Sequence, residues 1–323
     1  MARIALDAMG GDHAPTETVA GAVEALRRGI DVVLVGDEPT LRSELSGYDI
    51  AAEIVNAPEV IGMGDDPASA LRDKPGSSIA VAAQMVSKGE ADGLVSAGST
   101  GAAMAAAAIV IGRLKGLSRP AIATVFPTMG SPTLVLDAGA NVEVKPEQLA
   151  QFGVMGAVAA QVLLSVSDPR VGLLSIGEEK GKGRDLEKAA YVLLEAAPLN
   201  FIGNLEGTDI AHDKADVIVT DGFTGNVFLK TTEGTARLVA GYIADSLAAL
   251  PDDARSIALN AVADVRALLD HETYGGAHLL GVKSVVIICH GSSSRAGIAN
   301  ALVMASEAAD GGLPGRLAAE LGV

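Results

Sequence analysis

Three stretches of this chain end an apolar, β-branched run on glycine and hydroxyl side chains: Ala97-Gly98-Ser99-Thr100-Gly101, Asp221-Gly222-Phe223-Thr224-Gly225-Asn226 and His290-Gly291-Ser292-Ser293-Ser294. Glycine lets the backbone approach a ligand closely, a helix start offers free N–H groups, and Ser or Thr adds a hydroxyl. Three such loops in one chain point to an anionic ligand, for which phosphate is the natural candidate. A fourth, Leu6-Asp7-Ala8-Met9-Gly10-Gly11-Asp12-His13-Ala14-Pro15, opens the chain in the same style. Gly10-Gly11-Asp12 is not a dinucleotide fingerprint, because the third spaced glycine is missing. His13 reads either as a catalytic group or as a structural donor that ties this loop down.

An anion also needs cations, and these are scarce. The 323 residues hold 24 Lys and Arg against 40 Asp and Glu, a formal net charge of −16. Binding to the nucleic-acid backbone requires clustered Lys and Arg, and single-strand platforms require aromatics, which make up only 3% of the chain; no nucleic-acid partner is expected. Two local basic clusters remain. One is Arg113, Lys115 and Arg119; the other is Lys180, Lys182, Arg184 and Lys188, within and just after the glycine-rich stretch Gly177-Glu178-Glu179-Lys180-Gly181-Lys182-Gly183-Arg184. Either cluster is open to two readings, a solvated surface or a contact for an anionic ligand or acidic partner. Glycine makes the second loop mobile in this reading.

Other chemistries lack their patterns. There is no GxxxxGK[ST] phosphate loop, no GxSxG nucleophile elbow, no HExxH and no EF-hand spacing. No metal and no cofactor are expected. Cys289 is the sole cysteine, which excludes an intrachain disulfide and fits a reducing cytosol. Neighbouring strand residues point to opposite faces, so Cys289-His290 is not a dyad, and Cys289 reads as a small buried hydrophobe. The chain enters a strand directly after Met1, without a signal-peptide pattern, and Gly101–Gly112 is too short to span a bilayer. A cytoplasmic protein is expected.

The elements that must position these loops alternate along the chain. Strands are predicted at Ile4–Ala8, Val32–Val35, Glu53–Asn56, Gly93–Ser96, Ala121–Phe126, Thr133–Asp137, Val171–Ile176, Phe201–Asn204, Val217–Thr220 and Val285–Cys289, with helices between them. Several strands lack polar alternation, as when helices cover both sheet faces. The spacing predicts a three-layer α/β/α sandwich with much of the sheet parallel. No linker divides the chain, so residues 1–323 read as a single unit, at most two lobes around a cleft. Residues 232–272 carry no strand signal and read as a helical hairpin broken at Leu250-Pro251-Asp252-Asp253. Its second arm has an apolar stripe of Ile257, Ala258, Ala261, Val262, Val265, Leu268 and Leu269. The hairpin either folds onto its own sheet, contacts a second subunit or faces a membrane.

Taken in order, these motifs resemble the bacterial phosphate acyltransferases of the PlsX type. The opening Ile4–Pro15 is similar to that family's signature, and the resemblance continues through Val35-Gly36-Asp37, Ser96–Ala102, Gly112–Gly116, Leu136–Val142, Lys145-Pro146-Glu147, Val219–Val227, Tyr274–Ala277 and His290–Ser293. It runs from residue 2 to about residue 308. The resemblance implies a homodimeric α/β/α sandwich like isocitrate and isopropylmalate dehydrogenases and phosphotransacetylases. It implies transfer of a long-chain acyl group from acyl carrier protein to inorganic phosphate, with the acyl-phosphate feeding a membrane glycerol-3-phosphate acyltransferase in phospholipid synthesis. Phosphate is already anionic near neutrality and a thiolate leaves readily, so positioning and oxyanion stabilisation suffice.

On this resemblance Lys182 neutralises charge on phosphate or oxyanion, and Asn226 orients the carbonyl. Gly98, Ser99, Thr100, Gly101, Thr224, Gly225, His290, Gly291, Ser292 and Ser293 line the phosphate and acyl-phosphate pocket. Gly10 and Gly11 turn the chain at its edge, with Asp7, Asp12 and His13 bracing the turn and His13 within reach of catalysis. Arg113, Lys115 and Arg119, or the loop of Lys180, dock the acidic carrier. Three features depart from the family pattern: Ser99 and Arg184 stand where Asn is usual, and the hairpin is poor in Lys, which leaves an apolar tip at Leu247–Leu250 as the membrane contact. Two rival readings stay open: a short-chain phosphate acyltransferase using acyl-CoA, and a non-catalytic dimeric scaffold that recruits the membrane acyltransferase.

Overall fold

In the computed structural model, which describes residues 1–269, 273 and 275–322 (backbone alone at 260 and 262–269), one twisted sheet runs through the molecule. Its strands are β1 Arg3–Asp7, β2 Asp31–Gly36, β3 Glu53–Asn56, β4 Gly93–Ser96, β5 Ala121–Phe126, β6 Thr133–Leu136, β7 Arg170–Leu174, β8 Asn200–Leu205, β9 Val217–Val219, β10 Ala277–Leu280 and β11 Val285–Ile288. They lie in the order β3-β2-β1-β4-β11-β10-β5-β6-β9-β7-β8. Two parallel groups, β3-β2-β1-β4-β11 and β6-β9-β7-β8, run in opposite directions and are joined through antiparallel pairings of β10 with β11 and β5, and of β5 with β6. All ten predicted strands are present, with ends shifted by a residue or two. The eleventh, β10, escaped the sequence reading: it is four residues long and follows a glycine pair.

Alternation of strand side chains separates two cores. Ile4, Leu6, Val32 and Leu34 point to one face, whose core is shared with Leu134, Leu136, Val171 and Val217 further along the sheet and is covered by α1 (Thr16–Arg27), α2 (Glu38–Leu45), α6 (Pro146–Leu163), α7 (Asp185–Ala196), α10 (Arg295–Asp310) and α11 (Leu313–Glu320). Ala5, Val33, Val35 and Leu94 point to the other, under α3 (Pro67–Asp73), α4 (Ser78–Ser87) and α5 (Thr100–Ala106), which continues as a π-helical turn to Gly112. The result is the expected three layers. Alanine and glycine make the layers close: a Cβ on Gly156 of α6 would come within 2.4 Å of Val217 on β9.

The second face is not fully covered. Between α5 and the next helix on that side, α8 (Gly222–Ala248), the face of β5 lies open as a cleft. At 27 residues, α8 starts ten residues before the predicted hairpin, so one continuous helix both lines this cleft and forms the hairpin's first arm. The second arm is α9 (Asp252–Leu269). Among the described side chains, Leu238, Val239, Tyr242, Ile243, Leu250, Ile257 and Leu259 are exposed, so these do not pack onto the sheet. The predicted stripe beyond Ala261 lies outside the described side chains, and so do Asp270, His271, Glu272 and Tyr274.

Candidate active site

Asp137, at the end of β6, is fully buried and organises the floor of the cleft. Its carboxylate accepts hydrogen bonds from the backbone N–H groups of Ile122 (3.0 Å), Gly139 (3.1 Å), Ala140 (2.9 Å) and Asn141 (2.7 Å), and from the Asn141 side chain (2.7 Å). Burial pushes the carboxyl up, while these donors favour its ionised form. The turn it holds receives the first residues of α8. A Cβ on Gly225 would sit 2.0 Å from the Asp137 carbonyl oxygen, and one on Gly222 would sit 2.6 Å from that of Asn141. Only glycine permits this approach, and it sets Asn226 beside Gly139, which has φ +144°.

Asp221 caps α8, accepting from the Thr224 N–H at 2.8 Å and the Thr224 hydroxyl at 2.9 Å. Its second partner is Arg184, whose guanidinium lies 2.5 Å away and also pairs with the buried Glu187. Burial works to raise the Asp221 carboxyl, but the Thr224 N–H and Arg184 outweigh it and hold it below the usual carboxylate range.

The cleft encloses about 600 Å³. Polar lining comes from Asp12, Gly98, Thr100, His290, Gly291 and Ser293, on the loops after the neighbouring strands β1, β4 and β11, and Asn226 of α8 lines the same cleft. The Asp12 N–H donates to the Gly291 carbonyl at 2.7 Å, which binds the first loop to the last. The Ser292 N–H donates to His290 Nδ1 at 3.3 Å, with the Ser292 hydroxyl 2.8 Å from the same atom. The remaining lining is mostly apolar, with Ile122, Val125 and Phe126 along β5, Leu229 and Ala236 along α8, and Met63 and Ile288, and it is interrupted by Thr124, Lys230, Thr232 and Glu233. Cys289 also lines the cleft, but it is buried and burial pushes its thiol up, which disfavours the thiolate.

The structure sorts the predicted residues. Gly98, Thr100, Asn226, His290, Gly291 and Ser293 share the cleft. Asp7, Gly10 and Ser99 surround a smaller void behind Gly98, where Asp7 is buried, its carboxyl is pushed up by burial, and it accepts from the Ser96 hydroxyl at 2.7 Å. Gly11, Gly101, Thr224, Gly225 and Ser292 shape the surrounding turns without lining the cleft. His13 is exposed beside it, and its carbonyl accepts from the Glu17 N–H at 3.1 Å.

The glycine-rich loop makes several contacts, most of them exposed ion pairs. Glu178 pairs with Lys214 at 2.8 Å, the Glu179 carbonyl accepts from Asn204 at 2.9 Å, Lys180 pairs with Glu195 at 2.5 Å and lies over Tyr191, and Arg184 holds Asp221. Lys182 is half exposed, 3.9 Å from Glu179, and does not line the cleft. Arg113, Lys115 and Arg119 are exposed and lead directly to Pro120, whose carbonyl accepts from Asn141 at 2.8 Å; the stretch abuts the turn beneath Asn226.

Sequence reading missed Asp137, Gly139, Lys230 and Glu233. Asp137 and Gly139 lay within a quoted motif, where only the crowded approach of α8 distinguishes them. Lys230 and Glu233 follow Asn226 at helical spacing, a signal that was available once α8 was known to begin at Gly222. Among the described residues, no three His, Cys, Asp or Glu side chains are grouped to hold a metal ion, and no helix is long and apolar enough to cross a membrane.

A family model described as fatty acid synthesis protein matches residues 2–316. The phosphate acyltransferase of Desulforamulus reducens is 46% identical over 317 residues, covering 97% of this chain and 95% of its own. That of Heliobacterium modesticaldum is 49% identical over 316 residues, covering 94% and 93%. In fold, the chain is similar to a phosphotransacetylase from Streptococcus pyogenes, with TM-score 0.65 at 18% identity over 96% of this chain and 94% of that one. It is similar also to 4-hydroxythreonine-4-phosphate dehydrogenase from Klebsiella pneumoniae, with TM-score 0.51 at 14% identity over 96% and 100%. These likenesses establish the fold, while the near-complete match of sequence establishes kinship: the chain belongs to the fatty acid synthesis protein family, the PlsX family that its motifs resemble.

Proposed function

We propose that this protein transfers a long-chain acyl group from acyl carrier protein to inorganic phosphate. The observation that carries the reading is that one cleft combines polar lining, from Gly98, Thr100, His290, Ser293 and Asn226, with apolar lining from Ile122, Val125, Phe126 and Leu229. A phosphate oxygen attacks the thioester carbonyl, a C–O bond forms, and the tetrahedral oxyanion collapses with loss of the C–S bond. The thiolate leaves on the carrier and is protonated through solvent by the proton that hydrogen phosphate gives up on becoming acyl-phosphate. Asn226 donates its amide N–H to the carbonyl oxygen, where charge develops. Backbone N–H groups and hydroxyls of the β4 and β11 loops receive phosphate. In this reading Lys182, whose side chain lies outside the cleft lining, serves the reacting phosphate from the edge, on the loop that Arg184 ties to α8.

The apolar walls favour a long acyl chain over the short-chain acyl-CoA reading. Arg113, Lys115 and Arg119 form the docking surface for an acidic carrier; Lys180, already engaged by Glu195 and Tyr191, contributes less. In this reading the protein is a cytoplasmic homodimer that hands acyl-phosphate to a membrane glycerol-3-phosphate acyltransferase, with the exposed hairpin as its peripheral membrane contact. Flotation with anionic vesicles tests that contact, and failure of the wild type to float removes it.

The deciding experiment is phosphate-dependent release of carrier thiol from long-chain acyl carrier protein, run beside short-chain acyl-CoA. Release from acyl-CoA alone selects the rival enzyme, and no release from either selects the scaffold.

A further inference from the structure

We infer that Lys230 is a phosphate-binding residue of this cleft and that Glu233 is its resting counter-ion, displaced when the anion enters. The inference rests on the proposed phosphate acyltransferase activity and adds a residue that the glycine loops and the lysine of the 177–184 loop leave unassigned.

Lys230 lies one helical turn beyond Asn226 on α8, and at that spacing the two side chains share a face of the helix. Both line the cleft. Among the described residues that do so, Lys230 is the one lysine or arginine, and Asp12 and Glu233 bring two carboxylates to the same space. A phosphate entering beside those acids, in a chain of net charge −16, meets repulsion unless a cation is local. Lys182, outside the lining, does not meet that need within the cleft.

The lysine is held in waiting. Its Nζ donates to Glu233 Oε2 at 3.0 Å, with the two side chains 51% and 29% exposed. A pair this wet is weak, so a dianion offering several acceptor oxygens competes with a single carboxylate. Glu233 is not orphaned by the exchange, because Arg237 lies 3.8 Å from the same Oε2 atom and does not line the cleft. The arrangement is therefore a relay of partners along one helix face: Arg237 keeps Glu233 while Lys230 turns to phosphate.

The test is calorimetric binding of inorganic phosphate to the full chain at fixed ionic strength, with KM for phosphate and for the acyl donor measured alongside. Lys230→Gln is expected to raise the phosphate Kd and KM about 10-fold, the scale of one charge-assisted hydrogen bond, and to leave the acyl-donor KM unchanged. Glu233→Gln is expected to lower the phosphate Kd about 3-fold, since it removes a competitor and a facing negative charge. An unchanged phosphate Kd in Lys230→Gln overturns the inference. So does a rise confined to the acyl-donor KM, which would put the lysine on the carrier instead. A wild type that binds phosphate through Lys230 yet forms no acyl-phosphate would refute the activity and leave the phosphate site standing.

Discussion

Arg184 reaches across 37 positions of sequence to place its guanidinium 2.5 Å from the carboxylate of Asp221, the cap of the helix that carries Asn226. The contact couples the lysine-bearing loop after β7 to the N-terminal end of α8. Asp221 is almost fully buried, so the pair is asymmetric: its acid is fixed and its base is half in water. Arg184→Ala should keep the fold but lower the melting temperature, because Asp221 and Glu187 retain the N–H groups of Thr224 and of residue 184 yet lose the cation between two buried carboxylates. It should lower kcat about 10-fold through a misplaced helix start, with Arg184→Lys recovering part of the loss. Steady-state kinetics beside a thermal melt check this; unchanged kcat would deny Arg184 a positioning role.

Gly225 has no room for a side chain. An added Cβ would fall 2.0 Å from the Asp137 carbonyl oxygen, so Gly225→Ala must push α8 off the turn at Asp137. The expected cost is about 1–3 kcal/mol in urea unfolding, typical of overpacking, with a larger proportional loss of activity because Asn226 moves with the helix. Activity and stability equal to wild type would show that the helix start can yield without consequence.

Asn226→Ala removes the cleft's amide donor and should reduce acyl-phosphate formation at least ~10²-fold, the scale of a lost oxyanion donor. Lys182→Ala should fall as far if the loop lysine reaches the reacting phosphate. Near-normal turnover in either variant removes that residue from the mechanism.

His278, on β10, is buried, and burial holds its imidazole down from 6.5 to about 4. In the unfolded chain it takes a proton as pH falls through 6.5, whereas the folded protein refuses it until about 4. Its contribution to stability is therefore complete above pH 6.5 and is lost between 6.5 and 4, by up to about 3 kcal/mol. Denaturant unfolding across this range should show a shallower pH dependence for His278→Leu than for wild type. Identical slopes would show that His278 gains a proton without opposing the fold.

Lys115→Glu with Arg119→Glu reverses charge on the exposed stretch before Pro120. Both side chains stand clear of the cleft lining, so the double variant should raise KM for an acyl-carrier substrate several-fold with little change in kcat. High salt should narrow the difference. An unchanged KM would place the carrier elsewhere.

Much of this protein was written locally. Val- and Ile-rich runs predicted ten of the eleven strands, because burial on both faces demands unbroken apolar stretches whatever the neighbours are. The glycine and hydroxyl loops after β4, β9 and β11 were legible as candidate ligand loops, since close backbone approach depends on the loop's own residue types, and residues of all three line one cleft. Motifs spread over nearly the whole length sufficed for kinship. Tertiary structure decided what these parts do together. Only the run of antiparallel pairings β11-β10-β5-β6 makes the two parallel groups oppose each other, the reversal falling between β5 and β6, and the face of β5 lies open between α5 and α8. Only the packing of Gly222 and Gly225 on the turn at Asp137 sets Asn226 beside Gly139 and turns Lys230 to the cleft. In sequence Lys230 and Glu233 are an ordinary surface pair on a helix, and Lys182 is the conspicuous cation among glycines. Their places follow from contacts between residues far apart in the chain, and a local pattern carries no record of which helix face another element leaves uncovered.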